Sequence, residues 1–387
     1  MGKQGGCAPS IQCKRGYDAS VFVNAHIFCV TSTCSRFKNS CPSMKQRLRA
    51  HSHNATLDDV AARCDVSYQT VSRVVNGSPL VAEKTRTRVL KAIAELNYRP
   101  NLAARRLATQ RSSLIGMIGS HMTYYGPAQV MVSVEETAKR QGYNLIFAGV
   151  ENSRESELLA AVDDLCEHQV DGLVIGVRFE RWVSAVREHC RDVPFVSVGN
   201  RVLREIPAVV IDQSYGIQLA TRHLLQLGHE RIACITGPPD WPAAKERCRA
   251  WVKTLQNAGL EPGPQIQGDW STESGYQAAK QLVGSHSRAF TAIVACNDHM
   301  ALGALRALHA EKIRVPEQIS IAGYDDLPES RFFEPPLTTV HHDFVAEGAS
   351  CVNLLLQMIN RKSVDSTLQI LRPELVVRES TGKANRE

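Results

Sequence analysis

Residues Thr56–Asn76, TLDDVAARCDVSYQTVSRVVN, decide how the N-terminal part of this 387-residue chain folds. Leu57, Val60 and Ala61 recur at i, i+3 and i+4, which puts them on one face of a helix. Thr56 is a natural N-cap, and Asp58 and Asp59 fall in the first turn, where the helix dipole favours negative charge. The pattern breaks at Cys64-Asp65-Val66, and aspartate is one of the few non-glycine residues that tolerate a left-handed turn. Ser67 then caps a second helix, Tyr68 to Asn76, with Val71, Val74 and Val75 inward and Tyr68, Gln69 and Arg73 outward. In a helix-turn-helix the N-terminal end of such a second helix enters the major groove of DNA. There glutamine pairs bidentately with adenine and arginine with guanine. The competing reading is an ordinary helical hairpin with a polar surface.

Charge favours the first reading. Residues 56–112 hold ten Lys/Arg against five acids, and residues 1–50 hold eight against Asp18 alone. The chain carries +6 overall, so the remainder from 113 is at −6. A basic head on an acidic body suits a protein that touches phosphate at one end only.

Twelve cysteines form no CxxC pair and have no histidine partner pattern, so they read as reduced thiols rather than disulfides or a metal site. No apolar run reaches the ~18–20 residues of a membrane span. The patch Val21–Val30 is short, is broken by Asn24 and His26, and lacks a small-residue cleavage site. Residues 1–50 show no periodicity and are expected to be a disordered extension, with Met44 as a candidate alternative start. The expected location is cytoplasmic, on the nucleoid.

Downstream, a third helix is expected over Glu83–Asn97, stopped by Tyr98-Arg99-Pro100. Asn101–Ala108 can form a brief helix before the polar Thr109–Ser112. From Leu114 the texture becomes alternating strands and helices. Strands are expected at Leu114–Ile118, Asn144–Ala148, Gly172–Ile175, Phe195–Val198, Ala208–Ile211, Ile232–Ile235, Ala292–Ala295 and Ile319–Ala322. Amphipathic segments such as Val130–Gln141 and Ala244–Ala258 separate them. This is an α/β pattern of doubly wound parallel sheets with ligands at the carboxyl ends of the strands, long enough for two lobes. No Walker loop, GxSxG elbow or HExxH is present, and the pairs Asp163-Asp164 and Asp325-Asp326 carry no catalytic motif. The expected organisation is a helix-turn-helix domain over 54–100, a hinge and linker over 101–112, and a core over 113–380 with a tail at 381–387. Lobe 1 takes about 113–212 and 344–371, and lobe 2 about 213–340 and 372–380.

Six segments in order, SYQTVSRVVN (67–76), AELNYRPN (94–101), GDWS (268–271), CNDHMALGA (296–304), GYDD (323–326) and PPLTTV (335–340), resemble the LacI/GalR family of bacterial repressors. The likeness runs from about Thr56 to Glu379. It implies a periplasmic-binding-protein-like core and a non-enzymatic homodimer that holds double-stranded operator DNA and needs no cofactor. A dimer rather than a tetramer is expected because no leucine heptads follow Val376-Val377-Arg378. By the resemblance, Tyr68, Gln69 and Arg73 read bases, while Thr56, Ser67, Thr70, Ser72, Asn76 and Thr85 hold phosphates and set register. Asn101, Ala104, Leu107 and Ala108 belong to a hinge helix in the minor groove, with Leu107 as the wedge.

The same resemblance places a small-molecule effector, a sugar or glycoside, between the lobes at Ser120, Asp212, Arg247, Trp270, Asn297, Asp325, His342 and Phe344. Arg247, Asn297 and Asp325 suit hydroxyls, and Trp270 offers a face to a sugar ring. Asn297-Asp298 could instead cap the helix from Met300. Gly176, Asp212 and His342 depart from one sugar-responsive pattern that carries Asn, Phe and Gln there. Two rivals from other classes, an exported solute-binding protein and a sugar-processing enzyme, lack an export signal and a nucleophile motif respectively. A corepressor-dependent repressor, as among purine-sensing members, stays open.

Overall fold

A computed structural model describes residues 55–99, 111–151, 154–199, 206–286, 290–361 and 368–385. The expectations for residues 1–50 and for the hinge positions Asn101, Ala104, Leu107 and Ala108 lie outside these. The chain divides at Pro100 into two compact units.

The described residues of the first unit form three helices, α1 (Leu57–Arg63), α2 (Tyr68–Val75) and α3 (Glu83–Glu95). Thr56 caps α1 in a reciprocal box. Its hydroxyl accepts from the Asp59 N–H at 3.2 Å, and the Asp59 carboxylate accepts from the Thr56 N–H at 2.8 Å. Each helix ends on a residue in left-handed conformation: Asp65 (φ 46°), Gly77 (φ 70°) and Asn97 (φ 48°). After each, the following N–H turns back to a carbonyl five residues earlier, as in Val66 to Ala61, Ser78 to Arg73 and Tyr98 to Ile93. The Asn97 turn is why α3 stops two residues short of the expected Asn97. Val60, Ala61, Cys64, Val71, Val74, Val89, Ala92 and Tyr98 form the core, while Val75 is only half-buried against it.

The second unit contains two six-stranded sheets. The first has the order β11-β5-β4-β3-β1-β2, from β1 (Leu114–Gly119), β2 (Asn144–Gly149), β3 (Gly172–Ile175), β4 (Phe195–Val198), β5 (Ala208–Ile211) and β11 (Leu368–Leu371). All of its pairings are parallel. Helices α5 (Glu155–Glu167) and α6 (Val183–Cys190) pack Leu158, Val162, Leu165 and Val186 on one face. Helices α4 (Tyr125–Arg140) and α11 (Phe344–Ile359) pack Val130, Val134, Cys351 and Leu355 on the other. A parallel sheet covered on both sides reads as continuous apolar strands, which is the pattern of these segments.

The second sheet has the order β12-β10-β9-β8-β6-β7, from β6 (Ile232–Thr236), β7 (Gln265–Gln267), β8 (Ala292–Ala295), β9 (Ser320–Asp325), β10 (Thr338–His341) and β12 (Glu374–Val376). Around it lie α7 (Gln213–Gln226), α8 (Pro242–Asn257), α9 (Thr272–His286) and α10 (Asp298–Ala310). Gly275 and Gly303 let the backbones of α9 and α10 touch, since an added Cβ would strike Met300 O or Thr272 O respectively.

The chain crosses between the sheets three times: after β5, after β10 and at Arg372-Pro373 between β11 and β12. The sheets are parallel as expected except for β12, which runs antiparallel to β10. A two-residue crossing delivers Glu374 at the end where β10 finishes, and a parallel partner would need a long return connection. Strands β7, β10, β11 and β12 were not among the expected ones. They are short, and β7, β11 and β12 lie at or near sheet edges with little apolar alternation. No helix of the described residues is long and apolar enough to cross a membrane. No cluster of metal-ligating side chains occurs among them.

Candidate DNA-reading helix and ligand cavity

In the first unit, Val71 and Val74 anchor α2, and the opposite side presents Tyr68 (50% exposed), Gln69 and Arg73. Gln69 and Arg73 are four residues apart and so lie one above the other on the same face. The six candidate phosphate binders lie on or at the ends of the three helices. Ser67 caps α2 through the Thr70 N–H, and the Ser67 and Thr70 hydroxyls bond at 2.9 Å. The Asn76 amide donates to the Ser72 hydroxyl at 3.3 Å. Thr56 caps α1, and Thr85 lies half-buried in the first turn of α3.

In the second unit, a cavity of about 610 Å³ opens at the carboxyl ends of both sheets. Its polar centre is Arg247 on α8, which is almost fully buried. The guanidinium lies 3.5 Å from the centroid of the Tyr324 ring and 5.7 Å from that of Trp270. Its Nε donates to Gln213 Oε1 at 2.8 Å, Nη1 to the Cys296 carbonyl, and Nη2 sits 3.5 Å from Asp325 Oδ1. Such a fork, stacked between rings and spent on three acceptors, cannot swing.

Asp325 ends β9 at φ 107°, and Trp270 follows β7 at φ 76°. Both are non-glycine residues in the left-handed region, a strain that concentrates where side chains must be aimed. Burial pushes the Asp325 carboxyl up to about 7, against the lowering pull of Arg247, with Asp298 behind it adding to the rise. Trp270 fits over Gly237, where any Cβ would collide with the indole. Its buried Nε1 has no hydrogen-bond partner among the described residues. Trp241 meets Trp270 at 5.7 Å and Tyr124 at 5.5 Å, both edge to face, and His121 at 5.1 Å. These four rings make one aromatic wall.

Seven of the eight candidate effector residues line this cavity: Ser120, Arg247, Trp270, Asn297, Asp325, His342 and Phe344. Asp212 does not. Its carboxylate caps α7 by accepting from the Tyr215 N–H at 2.8 Å, and its neighbour Gln213 reaches the cavity instead. Asn297 lines the wall but has its amide engaged at both ends. Oδ1 caps α10 at Met300 N–H (2.9 Å), and Nδ2 donates to the Trp270 carbonyl (3.0 Å), so it orients the tryptophan. His342 stacks on Phe344 at 3.7 Å and lies 3.0 Å from Glu347 through Nε2. Burial lowers its pKa, so the neutral ring donates from Nε2 to the carboxylate.

Tyr124, Tyr125, Gln213, Trp241 and Glu347 were absent from the sequence reading. Two of them had a visible trace. Trp241 sits in a Pro238-Pro239-Asp240-Trp241-Pro242 turn directly after a buried strand, and Glu347 is an acid within the apolar stripe of Phe344, Gly348 and Cys351.

Against known proteins, residues 56–101 match the family described as bacterial regulatory proteins, lacI family, and residues 221–381 a periplasmic binding protein-like domain. The lactose operon repressor of Escherichia coli (strain K12) is 38% identical over 329 residues, 84% of this chain and 90% of that protein. The HTH-type transcriptional repressor PurR of Pasteurella multocida (strain Pm70) is 36% identical, over 84% of this chain and 98% of its own length. Among solved structures, the lac repressor dimer bound to operator and the anti-inducer ONPF superposes with a TM-score of 0.76 at 37% identity. That match covers 85% of this chain and 99% of that one. A complex of the transcriptional regulator CelR with cellobiose gives 0.63 at 30% identity, over 84% and 99%.

Proposed function

Because the chain belongs to the lacI family of bacterial regulatory proteins, we propose that it is an operator-binding repressor whose grip is set by a sugar or glycoside in the cavity of its second unit. The observation that carries the ligand class is the pairing of Asp325 and Arg247 with the aromatic wall. A sugar presents C–H faces that pack on rings and hydroxyls that need directional acceptors, and this cavity supplies both. The molecule is a transcriptional repressor and not an enzyme, as its relatives are. It acts as a homodimer on a palindromic site, with Asn101, Ala104, Leu107 and Ala108 entering the minor groove between the half-sites. Ligand need only bind the free and DNA-bound conformations with different affinity to switch it.

The test is operator release, followed by fluorescence anisotropy, across a panel of sugars and nucleobases. A sugar that changes operator affinity supports the reading, and a response to a purine base alone overturns it. The pH dependence has a fixed sign. Ligand hydroxyls donate to the ionised Asp325, whose pKa without ligand is about 7, so binding favours proton release. Sugar affinity is expected to rise as pH increases through 7 and to level off above it. Calorimetry in two buffers of different ionisation enthalpy checks this; equal heats at pH 6.5 would exclude the coupling.

At the DNA end, Gln69→Ala or Arg73→Ala is expected to weaken operator binding by about 1–3 kcal/mol and relax preference at one base pair. Equal losses on operator and random DNA would reassign these side chains to phosphate.

A further inference from the structure

Glu347 is not explained by a sugar site centred on Asp325 and Arg247. It belongs to α11, which packs on the first sheet, and its side chain is only 3% exposed. One oxygen, Oε2, accepts from His342 Nε2 at 3.0 Å. The other, Oε1, has no partner among the described residues. It faces Gly199, where an added methyl group would sit 4.0 Å away, and both Gly199 and Glu347 line the cavity. An acid in a buried stripe, braced on one oxygen, holds its other oxygen as an acceptor at the cavity wall beside Gly199.

Among the described residues, the charges on the cavity wall favour a hydrogen-bond donor over an anion. The acids on the cavity wall are Asp240, Asp325 and Glu347, and the guanidinium groups are Arg178 and Arg247. Arg247 is spent on Asp325, Gln213 and the Cys296 carbonyl. Arg178 lies 3.6 Å from Glu180 and donates to the Asp240 carbonyl. The neutral His342 supplies no positive charge. A like charge brought beside a carboxylate as deeply buried as Glu347 meets repulsion that solvent screens only in part.

We propose that Glu347, braced by His342, is a charge filter that admits sugars donating O–H or N–H to Oε1 and rejects phosphorylated sugars and sugar acids. This deepens the sugar reading above and rests on it. A neutral hexose or glycoside gives a hydroxyl to Oε1, and an amino sugar gives an ammonium. A 6-phosphate or a uronate of the same ring places a second anion against the carboxylate.

Dissociation constants of the full chain for galactose, glucose, cellobiose and glucosamine, set against glucose 6-phosphate and glucuronate, test it. At least one uncharged or amino sugar is expected to bind about 100-fold tighter than the anionic ones. Glu347→Gln keeps the shape without the charge and is expected to narrow that ratio about tenfold or more. Glu347→Leu, which also removes the acceptor, is expected to weaken the preferred sugar as well. A wild-type chain that takes an anionic sugar as tightly as its neutral parent overturns the filter. So does a Glu347→Gln chain with an unchanged ratio, and in that case the sugar reading survives. No binding by any member overturns the sugar reading and the filter together.

Discussion

Replacing Asp298 by alanine is expected to cost the second unit about 3–5 kcal/mol of folding stability. Asp298 is completely buried at the start of α10, below the cavity. Its carboxylate accepts from the Leu327 N–H at 2.9 Å, the Ser330 hydroxyl at 2.6 Å and the Thr339 hydroxyl at 2.5 Å. Alanine leaves three buried donors without an acceptor, and each costs about 1–3 kcal/mol once water cannot reach it. Those donors come from the loop after β9 and from β10, so one carboxylate ties the strand carrying Asp325 to its neighbour. Urea titration followed by tryptophan fluorescence measures the loss. A change below about 1 kcal/mol would mean that the donors find water.

The second large effect is expected at Asp325 itself. Asp325→Ala should reduce sugar affinity by roughly 10²–10⁴-fold, since two hydroxyl bonds to a charged acceptor are worth about 1.5–3 kcal/mol each. It also leaves the Arg247 guanidinium buried without its carboxylate partner, so part of the cost appears as lower stability. Asp325→Asn separates the two, because the amide keeps the volume and one acceptor. The expected result is a repressor that stays on its operator at sugar concentrations that release the wild type. Normal release would remove Asp325 from the ligand's contacts.

How much of this was legible beforehand depends on the range of the interaction. Thr56, Ser67 and Asp65 were readable as caps and a left-handed turn because their partners lie within four residues. The outward set Tyr68, Gln69 and Arg73 followed from the inward set Val71 and Val74 by helical geometry alone. The buried strands announced themselves as apolar runs. The edge strands β7, β11 and β12 did not, because three or four residues paired on one side need little burial.

The cavity follows another rule. Asp212 has the right chemistry for a hydroxyl acceptor, and Asn297 the right chemistry for a donor, yet both side chains are spent on the helix that each begins. A cap and a ligand contact use the same atoms, and only the backbone's direction at that point says which one gets them. Glu347 and Trp241 carry the opposite lesson, since they enter the cavity from segments more than a hundred residues apart.

The helix-turn-helix, the basic head, the α/β alternation and the family were therefore settled by the order of residues, because each rests on short-range periodicity or on motifs in series. Three chain crossings between two sheets decided the rest. They bring strand ends from β1 to β10 around one space, and no local pattern records which side chains then face each other. Burial among those neighbours raises Asp325 to about 7, holds His342 neutral and leaves one oxygen of Glu347 without a partner among the described residues.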